Sequence, residues 1–366
     1  MAGQYLNTPY VPDWVSPPGE TLADILEERS WSQSEFAERT GYTEKHVSLL
    51  INGKASITED TALKLELVVG STAGFWLTRE SRYREALARA QEEKALEKEG
   101  SWLKKLPIKH MLQHNWIRHL PSVGAQVAEC LRFFEVASVK AWETRYQDPV
   151  AAFRSSRKYP IDPAPTAAWL RQGERVAATI DCAPYDKAAF KSALSEIRKL
   201  GNETDPEVFV PQLTAICAKT GVAVVFEPEP KGCPVSGATK WLSQSKALIQ
   251  LSLRHKSNDH LWFSFFHEAG HILLHGKKML FIDMENMLSD EHEDEANRFS
   301  RDILIPPALA MRLLELPPRE ADVLQFAKQA SIAPGIVVGR MQNEKLLGWN
   351  QLNNLKVRYQ WSTDET

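Results

Sequence analysis

Apolar residues recur at helical spacing along most of the chain, and one short region breaks that rhythm. In "GETLADILEERSW" Leu22, Ile25 and Leu26 fall on one helical stripe. "SQSEFAERTG" opens with Ser32 as an N-cap, has Glu35 three residues on, and closes with Gly41 as a C-cap. "TEKHVSLLINGK" groups Val47, Leu50 and Ile51 before the Asn52-Gly53 turn. "TEDTALKLELVVG" and "AGFWLTRESRYREALARAQ" continue as helices, and the charged stretch from Arg82 to Gly100 reads as a helical spacer. Residues 101–200 hold further helical segments, such as "GAQVAECLRFFEV" and "PTAAWLRQGERVAATI", broken at "YPIDPAP". Near Gly221 the period shortens. "GVAVVFEPE" reads as a buried strand, and "KALIQLSL" alternates Ile249, Leu251 and Leu253 against Gln250 and Ser252. Helical spacing then resumes in "FSFFHEAGHILLHGKK". The pattern predicts an α+β protein: an irregular arm over 1–18, an all-α helix-turn-helix domain over 19–95, a helical middle region over 96–200, and a mixed domain over 201–366. The last includes a C-terminal helical subdomain at about 308–350.

Composition narrows the classes. The chain of 366 residues is 43% hydrophobic and 25% charged, an ordinary mix for a globular protein. Its net charge of −3 gives no chain-wide field toward nucleic acid, so any DNA contact must come from a local patch. No apolar run reaches the roughly eighteen residues of a membrane span, and the first twenty residues show no basic-then-apolar leader pattern. Cys130, Cys182, Cys217 and Cys233 are scattered, with no CxxC spacing. The expectation is a cytoplasmic protein with no membrane partner.

Candidate chemistry centres on "HEAGH". Positions i and i+4 of a helix share a face, so His267 and His271 can present their imidazoles to one ion. Glu268 lies about 100° round the helix, placed to act as a general base without ligating. A zinc hydrolase needs that division: two histidines and a third ligand hold Zn2+, and a fourth position stays open for water. Ser257, Asn258 and Asp259 offer caps at the start of this helix and Gly276 closes it, while Trp262, Phe265, Phe266, Ile272 and Leu273 would bury it. An extended metzincin pattern is excluded, because Leu274 and Lys277 occupy its glycine and histidine positions. In "DEHEDEANRFSRDILIPP" Glu293, Asn297 and Ser300 share one helical face; Glu293 is the preferred third ligand, with Glu295 and His292 as alternatives. His275 reads as a supporting or surface histidine, His260 as a solvated cap residue, and Cys233 as a loop cysteine rather than a thiolate ligand.

"FFHEAGHILLH" followed by "EDEANRFSRDILIP" resembles the ImmA/IrrE group of gluzincin-like zinc metallopeptidases. The resemblance runs from "GVAVVFEPE" through "SGATKWLSQSKALIQLSL" to "FAKQASIAPGIVVGRM", nearly half the chain. It implies a zincin-like fold with a small sheet and an HExxH helix, Glu293 as third zinc ligand, and selective cleavage of a regulatory protein, typically a repressor. It also implies that "KALIQLSL" binds an extended substrate by edge pairing.

In the N-terminal module Ala37 is the small residue where two helices would cross, Gly41 the turn, and Val47 and Leu50 the anchors of a helix-turn-helix. Thr43, Glu44, Lys45, His46 and Ser48 would then face outward on the recognition helix, with Asn52, Lys54 and Gln33 placed for backbone contacts. The run from Ser32 to Leu77 resembles the XRE-type domain of HigA-like antitoxins, which implies a homodimer on operator DNA and repression of its own operon. Between Gly19 and Glu80 there are eleven acidic and six basic residues, a net of −5, so affinity would rest on few phosphates and be salt-sensitive. A second such run, "DVLQFAKQASIAPGIVVGRMQNEKLLG", reads as a structural subdomain or substrate dock, with Ala327, Ala330, Ile332, Val337 and Val338 as its core.

Two functions from different classes fit. One is a DNA-binding regulator whose zinc peptidase cleaves a repressor or a toxin-antitoxin partner. The other is a non-catalytic antitoxin that autorepresses its operon and neutralises a toxin by binding, with structural zinc.

Overall fold

The computed structural model describes residues 16–147, 163–275, 281–283 and 290–361. Most of the expected arm, most of "YPIDPAP" and the expected cap Gly276 lie outside the described residues. The chain divides into two compact units, Met1–Glu99 with Ser122–Ala128, and Gly100–Pro121 with Glu129–Thr366. It is α+β, and each unit has its own core.

Five helices build the first unit: α1 (Pro18–Glu28), α2 (Gln33–Thr40), α3 (Glu44–Ile51), α4 (Glu59–Val68) and α5 (Ala73–Glu97). Hydroxyls set four of their starts. Ser32 accepts from the Glu35 N–H at 3.1 Å and Thr43 from the His46 N–H at 3.2 Å. Thr58 and Thr72 cap α4 and α5 in the same way, each cap worth about 1 kcal/mol. Only half of the expected capping box forms, because Glu35 turns to Arg39, 2.7 Å away. Gly41 ends α2 at φ 70°, a conformation glycine adopts without strain. Leu22, Leu26, Phe36, Val47, Leu50, Leu65 and Trp76 meet in the core. Gly19 lets α1 close on α3, since a Cβ there would lie 2.2 Å from the Leu50 carbonyl oxygen. The charged stretch read as a spacer is the continuation of α5, anchored at its base where Arg84 holds Glu80 at 2.7 Å and the Gly53 carbonyl at 3.1 Å.

In the second unit α6 (Gly100–Leu103) and α7 (Ile108–Gln113) come first, and α8 (Val123–Phe134) runs across the division between the units. After α9 (Val139–Trp142) follow α10 (Pro163–Thr179), α11 (Lys187–Leu200) and α12 (Pro206–Ala218). Four strands form one sheet: β1 (Val222–Phe226), β2 (Gly237–Ser243), β3 (Lys246–Leu251) and β4 (Phe281–Asp283), in the order β1-β3-β2-β4. β1 runs parallel to β3, and β2 antiparallel to both β3 and β4. The remaining helices are α13 (Asn258–Leu274), α14 (Asp290–Leu304), α15 (Pro307–Leu314), α16 (Glu320–Ala330) and α17 (Pro334–Asn343).

The sheet is covered on both faces. Val222, Val224, Ala247, Ile249 and Leu251 pack with Phe265, Phe266 and Ala269 of α13. Ala223, Val225 and Leu248 pack with Ala177 of α10. Segment 163–179, expected in a separate middle region, is therefore one wall of the sheet. The polar alternation in "KALIQLSL" does not mark a wet face either. Gln250 is fully buried and its Nε2 donates to the Trp169 carbonyl at 2.7 Å. Gly173 makes the room, since a Cβ there would sit 1.9 Å from Gln250 Oε1. β3 lies between β1 and β2 with both sides hydrogen-bonded, so it offers no edge to an extended substrate. That expectation is corrected.

Val323, Phe326, Ala327, Ala330, Ile332, Val337, Val338 and Met341 join the same core as α13. The second helix-turn-helix-like run is thus a structural part of this unit. Arg198 of α11 ties the ends of two helices, donating from Nε to the Ile303 carbonyl at 2.8 Å and from Nη2 to the Ala330 carbonyl at 2.6 Å.

Candidate metal centre and nucleic-acid interface

The histidine-bearing helix is anchored at its start by residues near the end of the chain. Asp259, in its first turn, meets Lys356 Nζ at 2.6 Å and the Ser257 hydroxyl at 2.6 Å. Asn258 Oδ1 accepts from the Val357 N–H at 3.2 Å. The α13 side chains that pack into the core, among them Trp262, Phe265, Phe266, Ala269 and Ile272, are apolar and buried, which fixes where the polar side chains of the helix lie. There His267, Glu268 and His271 are buried, at 1%, 0% and 0% exposure.

His267 and His271 converge on Glu293 of α14. His267 Nε2 is 3.2 Å from Glu293 Oε2, His271 Nε2 is 3.4 Å from Glu293 Oε1, and the two Nε2 atoms are 2.9 Å apart. A tetrahedral ion with bonds of roughly 2.0–2.2 Å would space its ligands about 3.3 Å apart, so the three side chains are near enough to meet at such an ion. The hydrogen-bond partners fix the tautomers. Asn297 Oδ1, which can only accept, lies 3.1 Å from His267 Nδ1, so that nitrogen carries the hydrogen. Glu295 Oε2 accepts from His275 Nε2 at 3.1 Å, which leaves His275 Nδ1 to accept from His271 Nδ1 at 2.9 Å. Both ligand candidates therefore turn lone pairs toward Glu293, and three acceptors converging is the donor set of a cation site. Burial lowers the His271 pKa to about 4. Burial works against the Glu293 carboxylate, but the adjoining imidazoles of His267 and His271 outweigh it and bring its pKa to about 2. At neutral pH the imidazole is uncharged and the carboxylate ionised, the forms that ligate a metal.

Glu268 stands outside this set. Its Oε2 lies 2.5 Å from the Thr239 hydroxyl on β2, and the same hydroxyl lies 3.1 Å from the Glu268 carbonyl. Gly237, two residues earlier on β2, has no side chain where a Cβ would come within 2.8 Å of Glu268 Oε1. The alternative ligands are engaged elsewhere: Glu295 on His275, and His292 against the His275 ring with centroids 4.4 Å apart. Cys233 is buried, its thiol pushed up to about 12 by desolvation, and it is not part of the cluster formed by His267, His271 and Glu293. His260 is no cap. The N-cap position is Ser257, and the His260 ring stacks on His255 at 4.0 Å. Both line a cleft of about 560 Å³ shared with Glu293, Asn297, Arg301, Arg340 and Trp349.

Sequence reasoning missed Thr239, Gly237 and the cleft arginines. "SGATKW" carries a small-then-hydroxyl pattern, but only the pairing of β2 beside α13 shows what it serves. Asn297 was visible as sharing the Glu293 face, without its partner.

In the first unit Gln33, Glu44, Lys45, Asn52 and Lys54 are exposed, while His46 and Ser48 are half-buried. Thr43 is exposed, but its hydroxyl is committed to capping α3. The His46 ring packs on Tyr42 with centroids 4.6 Å apart, Glu44 accepts from the Ser34 hydroxyl at 2.7 Å, and Asn52 Nδ2 donates to the Ser48 carbonyl at 2.7 Å. Lys45, Lys54 and Gln33 keep their heads toward solvent.

Residues 22–76 match the helix-turn-helix family, and residues 217–329 match the IrrE N-terminal-like domain of the M78 peptidases. An uncharacterised HTH-type transcriptional regulator of Escherichia coli K12, YddM, is 33% identical over 75 residues, which is 20% of this chain and 78% of that protein. A putative antidote protein of a plasmid maintenance system from Nostoc punctiforme is 30% identical, with 23% of this chain and 91% of that chain covered and a TM-score of 0.22. An addiction module antidote protein of the HigA family from Coxiella burnetii is 35% identical, with 23% and 94% covered and a TM-score of 0.22. Among the described residues no helix is long and apolar enough to cross a membrane.

Proposed function

This chain belongs to the XRE-type helix-turn-helix transcriptional regulators and carries a peptidase M78 domain, and on that premise we propose that it is a DNA-bound zinc endopeptidase cleaving a regulatory protein. His267, His271 and Glu293 would hold the ion, and Glu268 would serve as general base. The observation that carries this reading is the position of Glu268: buried beside the ligand set, not part of it, and oriented by Thr239. A site that only braced the fold would have no use for a carboxylate held in this way.

Zinc bound there would act as a Lewis acid on water and on the scissile carbonyl. The protein supplies the rest. Asn297 and the Glu295–His275 pair keep the ligand imidazoles in the right tautomer. Glu268 takes a proton from the attacking water and passes it to the leaving amine. The helix-turn-helix, as a homodimer, would bring this chemistry to an operator and to regulators bound there.

The test is mass spectrometry of protein termini in cells producing wild type or Glu268→Gln, with bound zinc checked equal. A new terminus made only by wild type supports the peptidase and identifies its substrate. Equal termini, with both forms still repressing an operator, would leave a binding regulator with a structural metal.

A further inference from the structure

α14 carries Glu293, Asn297 and Arg301 at four-residue intervals, on one face. All three line the cleft, so it runs along the helix from Glu293, the member of the triad on its wall. Its far end is cationic. The Arg301 side chain has no hydrogen-bond or ion-pair partner among the described residues. Arg340, on α17, meets Glu344 through Nε at 2.9 Å, but its buried Nη1 has no hydrogen-bond partner among the described residues. The cleft's own acids do not neutralise them: Glu293 faces the two histidines and Asp259 is held by Lys356, while Asp294 is exposed. The two guanidinium groups in the cleft repel, and the negative charges of Glu344 and Asp302 offset this in part at Arg340. Trp349 stands at the rim, 67% exposed, and its backbone is pinned, with its carbonyl accepting from Asn353 Nδ2 at 2.7 Å. Buried Gln342 braces the same loop through the Gln351 carbonyl at 3.0 Å.

We propose that this cleft selects a carboxylate on the bound peptide, held by Arg301 and Arg340 with Trp349 covering the neighbouring side chain. The inference rests on the peptidase reading and names the substrate class of the same site. Eight residues of helix span about 12 Å, and an extended peptide advances about 3.3 Å per residue. The selected carboxylate therefore lies about three to four residues from the scissile bond. Planar guanidinium groups suit a carboxylate, which they bind in a bidentate fork.

The full-length, zinc-loaded Glu268→Gln protein is immobilised and offered a randomised dodecapeptide pool, and bound peptides are sequenced. Enrichment of Asp and Glu over Asn and Gln by about tenfold is expected, lost in the added Arg301→Gln or Arg340→Gln variants. Enrichment that survives C-terminal amidation of the pool assigns the carboxylate to a side chain; loss on amidation assigns it to the chain terminus. Binding without acidic preference, no binding, or a preference unchanged in both arginine variants overturns the subsite. Acidic enrichment with no cleavage by wild type keeps the subsite and rejects the peptidase reading, so the two fail separately.

Discussion

The Thr239 hydroxyl lies 2.5 Å from Glu268 Oε2, joining the middle of β2 to the chemical face of α13. Thr239 is fully buried, and its neighbour Gly237 leaves the carboxylate its space. The strand thus sets the rotamer of the proposed base. Thr239→Val keeps the shape and removes the donor, and should lower peptide-cleavage kcat by about tenfold to a hundredfold with zinc content unchanged. Thr239→Ser should recover most of the rate. Loss of zinc in the valine variant would instead make Thr239 a structural residue.

Asn297 and Glu295 reach the triad by different routes, and this ranks their effects. Asn297 touches His267 itself, whereas Glu295 acts through His275 and is 46% exposed. Asn297→Ala should weaken zinc affinity by about tenfold to a hundredfold in a chelator competition. Glu295→Ala should weaken it less. Equal affinity in wild type and Asn297→Ala would show that the tautomer needs no such support.

Local features of the sequence were readable and long-range pairings were not. Ser32 and Gly41 bound α2 because caps depend on neighbours only. The shared face of Glu293 and Asn297 follows from helical period alone. Gln250 misled, because a polar residue at every second position ordinarily means solvent. Its burial depends on Gly173 and Trp169, some eighty residues away along the chain, on a helix that covers the second face of the sheet. The interior place of β3 was hidden for the same reason: β1 and β2 pair with it from opposite sides, and no local pattern records strand order. Thr239 and the arginine cleft likewise exist only once separate elements meet.

The Asp259–Lys356 pair gives a pH signature. Burial raises the Asp259 pKa, but Lys356 at 2.6 Å, with Ser257, outweighs it, so the folded value lies below the ordinary 3.8. A carboxylate with a depressed folded pKa contributes stability that is complete above 3.8 and is lost as pH falls through the folded value. Both side chains are 7% exposed, so removing one partner strands the other. Lys356→Met should cost about 3 kcal/mol in urea unfolding at pH 7. The deficit should shrink on acidification, as the stranded carboxyl takes up a proton. A deficit that is constant from pH 7 to 4 would assign the loss to packing of the lysine stem.

On the recognition helix, stability and DNA contact can be separated residue by residue. Thr43 caps α3, so Thr43→Ala should cost about 1 kcal/mol of stability. Any loss of operator binding in that variant should track its lower Tm. Lys45 and Lys54 are exposed and take no part in the core, so alanine there should leave Tm unchanged. Each should instead weaken binding to all sequences alike and reduce the slope of log affinity against log salt by about 1. Arg39 cannot substitute for them, since it is held by Glu35 and stacked on Trp31 at 4.1 Å. With a net of −5 over the module, two such contacts are a large share of the total. Unchanged salt slopes in both lysine variants would move the DNA-facing surface away from α3.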